Sequence, residues 1–413
     1  DPGRDGTNVL MRYTLRMLTT DQFQRAAGLI CGMEVMRKDY GIAGAPFRLG
    51  LWLGSGGTPN TLESAKTAIG WFKRDKKADA GNPLVLTECP WCRTEIGRIP
   101  VGKDRFQLAG IIRDNATLYC PDSKCHFHDE YAALPVEVVD ERIYQQKPSL
   151  VIGTADKFAM LAYKPEAGAL FGRGARREGG AWQIIQSHRP PSLIVQDELH
   201  LISGPLGTLF GLYETVISDL CTFKKGNRWQ PPKIIASTAT VRGAGRQVSA
   251  LFARERTALF PPPGIDISDS FFGRYARYDD GTAAPGRLYV GIHALYGSFQ
   301  TTQARTYAAL LARSTTFDDS KKDPWWTLLA YHNSMRELAG ARTLFDSDIQ
   351  SRLKHLADRE RTERRYLNIV ELSSRLSQAQ IVSLKNRLST EVLNGKEQDR
   401  VDACLSSNII EVG

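Results

Sequence analysis

Short runs of consecutive apolar residues are the feature that most constrains the fold of this chain. Leu193–Val195 is such a run, Lys233–Ala236 contains a second, and Leu150–Ile152 is a third. A strand covered by helices on both faces has no solvent side, so its sequence is continuously apolar instead of alternating. Segments with helical spacing, including Asp21–Arg37 and Thr61–Arg74, separate these runs. The sequence therefore predicts an α/β fold with doubly wound parallel sheets.

The chain is long enough for two or three domains, with 413 residues. A first α/β domain is predicted at 1–244, with an insertion at about 85–135 that carries four cysteines. A stretch rich in Pro, Gly and Asp follows, so 245–322 is predicted to be a connecting region. A new α/β pattern then predicts a second domain at 323–413.

Those four cysteines form two closely spaced pairs. Cys89 and Cys92 are separated by two residues, and Cys120 and Cys125 by four. Each short loop can place two thiolates on one ion, which is the pattern of a structural Zn²⁺ site. Four protein ligands leave no open position for a substrate, so the predicted site is structural and not catalytic.

Two nearby histidines leave the identity of the fourth ligand open. His126 and His128 lie close enough to the second pair to replace one cysteine. The competing interpretation is four unrelated reduced thiols. The remaining cysteines stand alone among apolar residues and are predicted to be core residues: Cys31, Cys221 and Cys404.

An acidic pair follows the apolar run at 193–195. Asp197 and Glu198 stand at the predicted carboxyl end of a strand, where ligands bind in open α/β sheets. Adjacent carboxylates can divide the work, so we expect Asp197 to hold Mg²⁺ and Glu198 to polarise an attacking water. His200 would couple this catalytic pair to a neighbouring loop. Taken alone the sequence Asp-Glu-x-His is a weak signal, because acidic surface turns are common.

Hydroxyl residues follow the next apolar run. Ser237, Thr238 and Thr240 stand at the predicted carboxyl end of that strand. If the two strands are neighbours in one sheet, these hydroxyls lie at the same rim as Asp197. They would then form hydrogen bonds with the carboxylate and the histidine, and would couple nucleotide state to the domain interface.

Composition and charge exclude several classes of protein. The formal net charge is +9, from 54 Lys and Arg against 45 Asp and Glu, which permits a polyanionic partner without requiring one. No segment approaches the roughly 18 apolar residues of a membrane span, and the N-terminus does not resemble a signal peptide. Seven cysteines are too few for a disulfide scaffold in a chain of this length. We expect a cytoplasmic protein without a membrane partner.

The order of these segments resembles that of a superfamily-2 helicase of the DEAD/DEAH-like group. Asp197–His200 resembles motif II, and Ser237–Thr240 resembles motif III. The other matching segments, in chain order, are Tyr13–Leu18 for motif Ia, Gly153–Lys157 for the T-P-D-type motif, Ala330–Ser334 for motif IV and Leu405–Gly413 for motif V. The resemblance implies two RecA-like domains, ATP as cofactor, and ATP-driven movement on nucleic acid.

The same resemblance implies contacts with a nucleic-acid backbone, which suit a motor whose steps do not depend on base sequence. The implied contacts are small polar or basic residues: Arg16, Thr19, Thr154, Lys157, Asn333, Ser334, Ser407 and Asn408. For Thr19 the competing interpretation is an ordinary helix N-cap.

Within the superfamily, Asp197–Gly207 is most similar to helicase subunits of bacterial DISARM anti-phage systems, and related bacterial repair helicases are the alternative. That similarity implies DNA as the nucleic acid and a second protein subunit of a defence complex as the partner.

Two parts of the helicase pattern do not occur in this sequence. No Gly-x₄-Gly-Lys-Ser/Thr phosphate loop is present, and Ala65–Thr67 has alanine where that loop needs glycine. Motif VI, which carries the arginine fingers, would follow motif V. The chain is therefore expected to be an internal piece of a longer helicase that hydrolyses ATP negligibly by itself.

Two other classes of protein compete with a motor. A DNA-binding scaffold that does not hydrolyse ATP would have no need to keep Asp197 and Glu198 together with Ser237–Thr240. A zinc hydrolase is disfavoured, because His-Glu-x-x-His does not occur and a site with four cysteines has no open position.

Overall fold

A computed structural model describes most of the chain, which divides into two compact units, Asp1–Glu255 and Arg256–Gly413. The described residues are 5–13, 16–54, 56–74, 81–100, 106–112, 114–128, 132–178, 181–238, 243–262, 264–266, 268–295, 297–360, 362, 364, 366–373, 375–376, 378–389 and 400–407.

The first unit alternates strands with helices. Its strands are β1 (Val9–Tyr13), β2 (Leu49–Trp52), β3 (Gly97–Pro100), β4 (Phe106–Ala109), β5 (Ile111–Ile112), β6 (Thr117–Leu118), β7 (Val136–Glu137), β8 (Leu150–Thr154), β9 (Arg173–Glu178), β10 (Ala181–Gln186), β11 (Leu193–Gln196), β12 (Phe223–Lys225), β13 (Arg228–Gln230) and β14 (Lys233–Ala236). Its α-helices are α1 (Arg16–Asp39), α2 (Leu62–Arg74), α3 (Asp140–Gln146), α4 (Gly204–Cys221) and α5 (Ala244–Phe252). Its 3₁₀ helices are Ala155–Ala162, Pro165–Phe171 and Leu199–Leu201.

Six strands of the first unit form one sheet in the order β14-β11-β1-β8-β2-β7, and every pairing in it is parallel. Leu10, Val151 and Ile194 of this sheet are fully buried and pack in one cluster with Ile217 and Cys221 of α4. The runs at 150–152 and 193–195 have fully buried central residues, as the continuous patterns predicted, whereas the run at 233–236 lies at the edge of the sheet. The predicted α/β class with a parallel sheet is confirmed.

A buried ion pair ties the sheet to α4. Arg12 Nη1 of β1 donates to Glu214 Oε2 of α4 at 2.5 Å, and both side chains are almost inaccessible to solvent. The guanidinium also lies over the ring of Phe210, 5.0 Å from its centre. Burial raises the pKa of Glu214, and the Arg12 charge opposes that shift.

The strand β14 lies at the edge of this sheet, and among the described residues no strand pairs with its outer side. Ile235 in the middle of β14 is 47% exposed. The backbone N–H and C=O groups on the outer side of an edge strand are a template on which a further strand can pair.

The second unit contains a smaller parallel sheet in the order β15-β17-β16. Its strands are β15 (Leu328–Tyr331), β16 (Ile369–Leu372) and β17 (Ala403–Ser406). Its helices are α6 (Phe299–Ser314), α7 (Asp319–Lys322), the 3₁₀ turn Asp323–Trp325, α8 (Met335–Leu344), the π-helical turn Phe345–Ile349, α9 (Gln350–Glu360) and α10 (Gln378–Ser389).

The core of the second unit joins helices to the small sheet. Leu311 of α6, Leu338 of α8 and Leu353 of α9 pack in one cluster with Ala403 and Leu405 of β17. The helix α6 lies within the predicted connecting region at 245–322, and it contributes directly to this core. None of the described helices combines the length and apolarity that crossing a bilayer requires.

Candidate active site

The carboxyl ends of β11 and β14 bring the acidic pair beside the hydroxyl residues. Gln196 and Ala236 are register partners in these two strands, so Asp197 and Ser237 follow at the same level. Ser237 Oγ donates a hydrogen bond to Asp197 Oδ1. Ser237 also bonds through its backbone, because its N–H donates to Gln196 O at 2.9 Å and its carbonyl accepts from Leu199 N at 2.9 Å. The two segments therefore form one rigid rim.

Asp197 is surrounded by hydrogen-bond donors. Its Oδ1 accepts from the backbone N–H of Glu198 at 2.9 Å, and its own N–H donates to Arg12 O at 3.0 Å. Tyr13 stands at the end of β1, and burial followed by the charge of Asp197 raises the pKa of its hydroxyl. A carboxylate held in this way has a fixed direction, which suits an ion ligand.

Glu198 adopts a left-handed backbone conformation, with φ 52° and ψ 47°. This conformation costs a residue with a side chain about 1 kcal/mol or more, and such strain clusters at functional sites. Glu198 Oε2 lies 3.3 Å from His200 Nδ1. Burial raises the pKa of Glu198, the charge of Asp197 adds to the shift, and His200 opposes it. A raised pKa makes this carboxylate a better proton acceptor.

Gln247 of α5 holds the turn that follows the acidic pair. Its Nε2 donates to Leu199 O at 2.9 Å and to Ile202 O at 2.8 Å. Sequence reasoning did not single out Gln247 or Tyr13. For Tyr13 a signal existed, because it opens the segment that resembles motif Ia, whereas nothing local marks Gln247.

The structure gives Lys157 a role different from the predicted contact with nucleic acid. Its Nζ donates to Asp140 Oδ2 at 2.6 Å and to Asn60 Oδ1 at 3.3 Å. Lys157 is only 6% exposed and lies near the ring of Trp52. Burial raises the pKa of Asp140 to about 6, although Lys157 opposes the shift. The ammonium group is therefore paired with a buried carboxylate.

The other predicted contacts lie at the ends of strands or outside the described residues. Thr154 ends β8 and is 3% exposed, whereas Ser407 follows β17 and is 9% exposed. Thr238 follows β14 and is half-buried. Thr240 and Asn408, together with the side chains of Arg16 and Thr19 in α1, lie outside the described residues.

Asn333 and Ser334 form the amino end of α8, and both are exposed. Ser334 Oγ accepts from the backbone N–H of Glu337 at 3.2 Å, and Glu337 Oε2 accepts from Asn333 N at 3.0 Å. Ser334 is therefore the N-cap of α8, and Glu337 binds the backbone of the preceding residue in a variation of the capping box.

The four paired cysteines form one cluster. The thiol sulfurs of Cys89, Cys92, Cys120 and Cys125 all lie within 4.8 Å of one another. The Sγ atoms of Cys92 and Cys120 are 3.4 Å apart, and those of Cys89 and Cys125 are 3.9 Å apart. Four sulfurs at about 2.3 Å from a tetrahedral zinc ion are separated by roughly 3.8 Å, so the cluster fits a metal ion.

His126 does not take part in the cluster, because it packs against Trp91 with 5.7 Å between the ring centres. Burial raises the pKa of Cys92, but hydrogen bonds with Thr94 and the neighbouring cysteines lower it to about 7. A low thiol pKa favours the thiolate form that binds metal. Cys31 of α1 lies nearby, and burial together with the charges of Cys89 and Cys125 raises its pKa to about 12.

Known proteins resemble this chain in sequence and in fold. No protein-family model matches it. Its fold is similar to a helicase Lhr of Mycobacterium smegmatis solved with ssDNA and AMP-PNP (TM-score 0.46, 12% identity, 98% of this chain and 34% of that chain). It is also similar to the DUF1998 helicase MrfA solved with DNA and AMPPNP (TM-score 0.38, 12% identity, 99% of this chain and 40% of that chain).

The sequence similarity is stronger. The DISARM protein DrmA of Bacillus paralicheniformis (strain ATCC 9945a / NCIMB 11709 / CD-2) is 36% identical to this chain over 442 aligned positions. The match covers 99% of this chain, which spans 38% of the length of that relative. The chain is therefore similar in sequence to the DISARM protein DrmA over almost all of its own residues.

Proposed function

We propose that this chain is part of an ATP-dependent DNA helicase or translocase of superfamily 2 that acts in DISARM anti-phage defence. The observation that carries the proposal is the hydrogen bond between Ser237 and Asp197 at the ends of two adjacent parallel strands. A surface turn with two acids has no need of this partner. The sequence similarity to DrmA supplies the link to defence.

In this proposal the rim residues divide the chemistry. Asp197 would hold the magnesium ion of Mg-ATP, which neutralises phosphate charge when bound. Glu198 orients an attacking water and accepts its proton, aided by its raised pKa. His200 holds Glu198 in place, and Ser237 transmits the state of Asp197 along β14.

A phosphate-binding loop has to complete the nucleotide site. The outer side of β14 is unpaired among the described strands, and it lies next to Ser237. A further parallel strand at this edge would end at the same rim and would deliver a phosphate loop beside Asp197.

DNA is the proposed nucleic acid, and a second subunit of the defence complex is the proposed protein partner. The exposed pair Asn333 and Ser334 at the amino end of α8 is the best placed of the predicted contacts, because a helix N-terminus favours phosphate. Arg16 and Thr19 of α1 and Asn408 are retained as proposed contacts.

Zn²⁺ is the proposed ion of the cysteine cluster, since four thiolates in tetrahedral spacing prefer it. Metal analysis of purified protein should find one zinc per chain, and Cys120→Ser should lose it. A zinc content near zero in undamaged protein would overturn this assignment.

The test of the ATPase is DNA-stimulated hydrolysis by the full-length protein and its Glu198→Gln variant. Removing a general base should lower kcat by roughly 10²–10⁴-fold while ATP and DNA still bind. Glu360→Gln, at an exposed position in α9, is the matched control and should be as active as the wild type.

Two results would point elsewhere. DNA binding without any stimulated hydrolysis by the wild-type protein would favour the non-hydrolysing scaffold. Full ATPase activity in Glu198→Gln would remove Glu198 from the catalytic role. A host that carries the complete defence system with Glu198→Gln should lose resistance to phage, and unchanged resistance would favour a repair helicase.

A further inference from the structure

The first cysteine loop sits directly on α1. The carbonyl oxygen of Pro90 lies 3.4 Å from the position that a Cβ on Gly28 would occupy, and the ring of Trp91 lies 3.9 Å from the corresponding position at Gly32. Gln24 Nε2, one turn earlier, donates to Glu88 O at 3.4 Å. Glycines at this contact let a backbone loop approach the helix, which larger side chains would prevent.

The second cysteine loop is joined to the first beside α1. Trp91 packs edge-on against Phe127, with 6.2 Å between the ring centres, so its ring lies between the helix and the second loop. Backbone bonds shape each loop separately: Arg93 N donates to Cys89 O at 2.9 Å, and Cys120 N donates to Phe127 O at 2.7 Å. The thiols of the two loops face one another at the cluster, so a bound ion is the strongest link between the loops.

We propose that the metal-bound cysteine loops act as a clamp on α1. Metal occupancy then fixes the position of this helix and thereby controls the affinity of the first unit for DNA. The clamp stands on the contacts above, whereas its effect on DNA rests on the proposed function. The ion stabilises the pair of loops, and the pair supports the central part of α1.

The clamp is close to the residues that it would control. The helix α1 begins at Arg16, shortly after β1 ends at Tyr13. Gln24 follows Thr19 by five positions, which is about 7.5 Å along a helix. A helix is stiff over this distance, so a shift at Gly28 is passed on to Arg16 and Thr19.

The test is hydrogen–deuterium exchange of the full-length protein with Zn²⁺ bound and after chelation. Amides of α1 at 22–39 should exchange at least tenfold faster without metal, while amides of α8 in the second unit should not change. Unchanged α1 exchange after verified loss of zinc would overturn the clamp.

A variant separates the clamp from the metal site itself. Gly28→Leu places a side chain against Pro90, so α1 should exchange as fast as in metal-free protein although one zinc per chain is still bound. Gly340→Leu in α8 is the matched control, because a Cβ there meets nothing within 4 Å. If Gly28→Leu does not fold, Gly32→Leu, which places a side chain against the ring of Trp91, is the second substitution. Normal α1 exchange in a folded Gly28 or Gly32 variant would contradict the proposal.

The effect on DNA is tested by measuring the binding of a fluorescent single-stranded oligonucleotide. Chelation and Gly28→Leu should each weaken binding at least tenfold. Faster α1 exchange with unchanged affinity would refute the control of DNA binding and leave only a structural clamp. Failure of the zinc-bound wild-type protein to bind DNA would refute the proposed function, while the exchange experiment would still decide the clamp.

Discussion

Ser237 Oγ donates a hydrogen bond to Asp197 Oδ1, and this bond joins the carboxyl ends of two neighbouring parallel strands. A hydroxyl that donates to a carboxylate forms a charge-assisted bond worth roughly 1.5–3 kcal/mol. The bond therefore gives the rim a preferred arrangement that a bound nucleotide can stabilise or break.

Ser237→Ala should lower DNA-stimulated ATP hydrolysis of the full-length protein by about 10- to 100-fold, which corresponds to a bond of this strength. The reason is that Asp197 keeps its charge but loses a donor that sets its direction. Steady-state ATPase assays measure the effect, and Ser237→Thr, which retains the hydroxyl, should recover most of the activity. Equal activity in the alanine and wild-type proteins would show that the bond is incidental.

The parallel sheet and the cysteine cluster could be predicted from the sequence because local patterns encode them. The run Leu193–Val195 has no polar alternation, so both of its faces must be covered. The spacing of Cys89 and Cys92 fixes a short loop, and the loop alone brings two thiols together. These features need no knowledge of distant residues.

The pairing of Lys157 and the proximity of Tyr13 to Asp197 could not be predicted in the same way. Lys157 bonds Asn60, which is 97 positions away in the sequence, and its burial depends on tertiary packing around Trp52. Tyr13 reaches Asp197 because β1 lies beside β11, and strand order in a sheet has no local signature. The resemblance to helicases identified the segment that contains Lys157, but it did not indicate that the side chain is buried and paired.

Lys157→Met should destabilise the first unit by roughly 3 kcal/mol, because it leaves Asp140 buried without a charged partner. The DNA affinity of the folded protein should stay within about twofold of the wild type, since a buried ammonium contacts no phosphate. Urea unfolding and oligonucleotide binding measure the two effects, and Lys225→Met at an exposed position of β12 is the control. A normal unfolding midpoint combined with a salt-dependent loss of DNA affinity would restore the predicted phosphate contact.

The stability of the first unit should fall as the pH rises from about 4 to 6. Burial raises the pKa of Asp140 from its ordinary value of 3.8 to about 6, so the folded state binds this proton more tightly than the unfolded state. The stabilisation by this proton is fully present below the pKa of Asp140 in the unfolded state. It is lost as the pH rises through the pKa of Asp140 in the folded state. Its size is on the order of 3 kcal/mol.

Asp140→Asn isolates this contribution, because asparagine has the same shape and does not titrate. The free energy of unfolding, measured by urea titration at several pH values, should show a difference between wild type and variant that changes across the window. Asp39→Asn, at an exposed position, should follow the wild type throughout. Parallel profiles for wild type and Asp140→Asn would assign the pH dependence to other groups.

Removing Arg12 and Glu214 together should cost much less folding stability than removing either residue alone. Glu214→Leu leaves the guanidinium without its carboxylate in an apolar layer near Phe210 and should cost about 3–5 kcal/mol. Arg12→Met should cost a similar amount by leaving the carboxylate unpaired. The double variant Arg12→Met/Glu214→Leu removes both charges and should lie within about 1 kcal/mol of the wild type.

Urea unfolding of the four proteins gives the coupling energy directly as a double-mutant cycle. The ion pair of Arg342 and Asp346, 3.0 Å apart and with side chains 40% and 51% exposed, is the control within the same chain. Asp346→Ala should cost less than about 1 kcal/mol, because solvent replaces the partner of an exposed charge. A double variant as unstable as the sum of its single variants would mean that Arg12 and Glu214 stabilise the sheet independently. A double variant as stable as the wild type would mean that the desolvation of the two charges offsets their attraction. The net contribution of the pair would then be the orientation of α4 against β1.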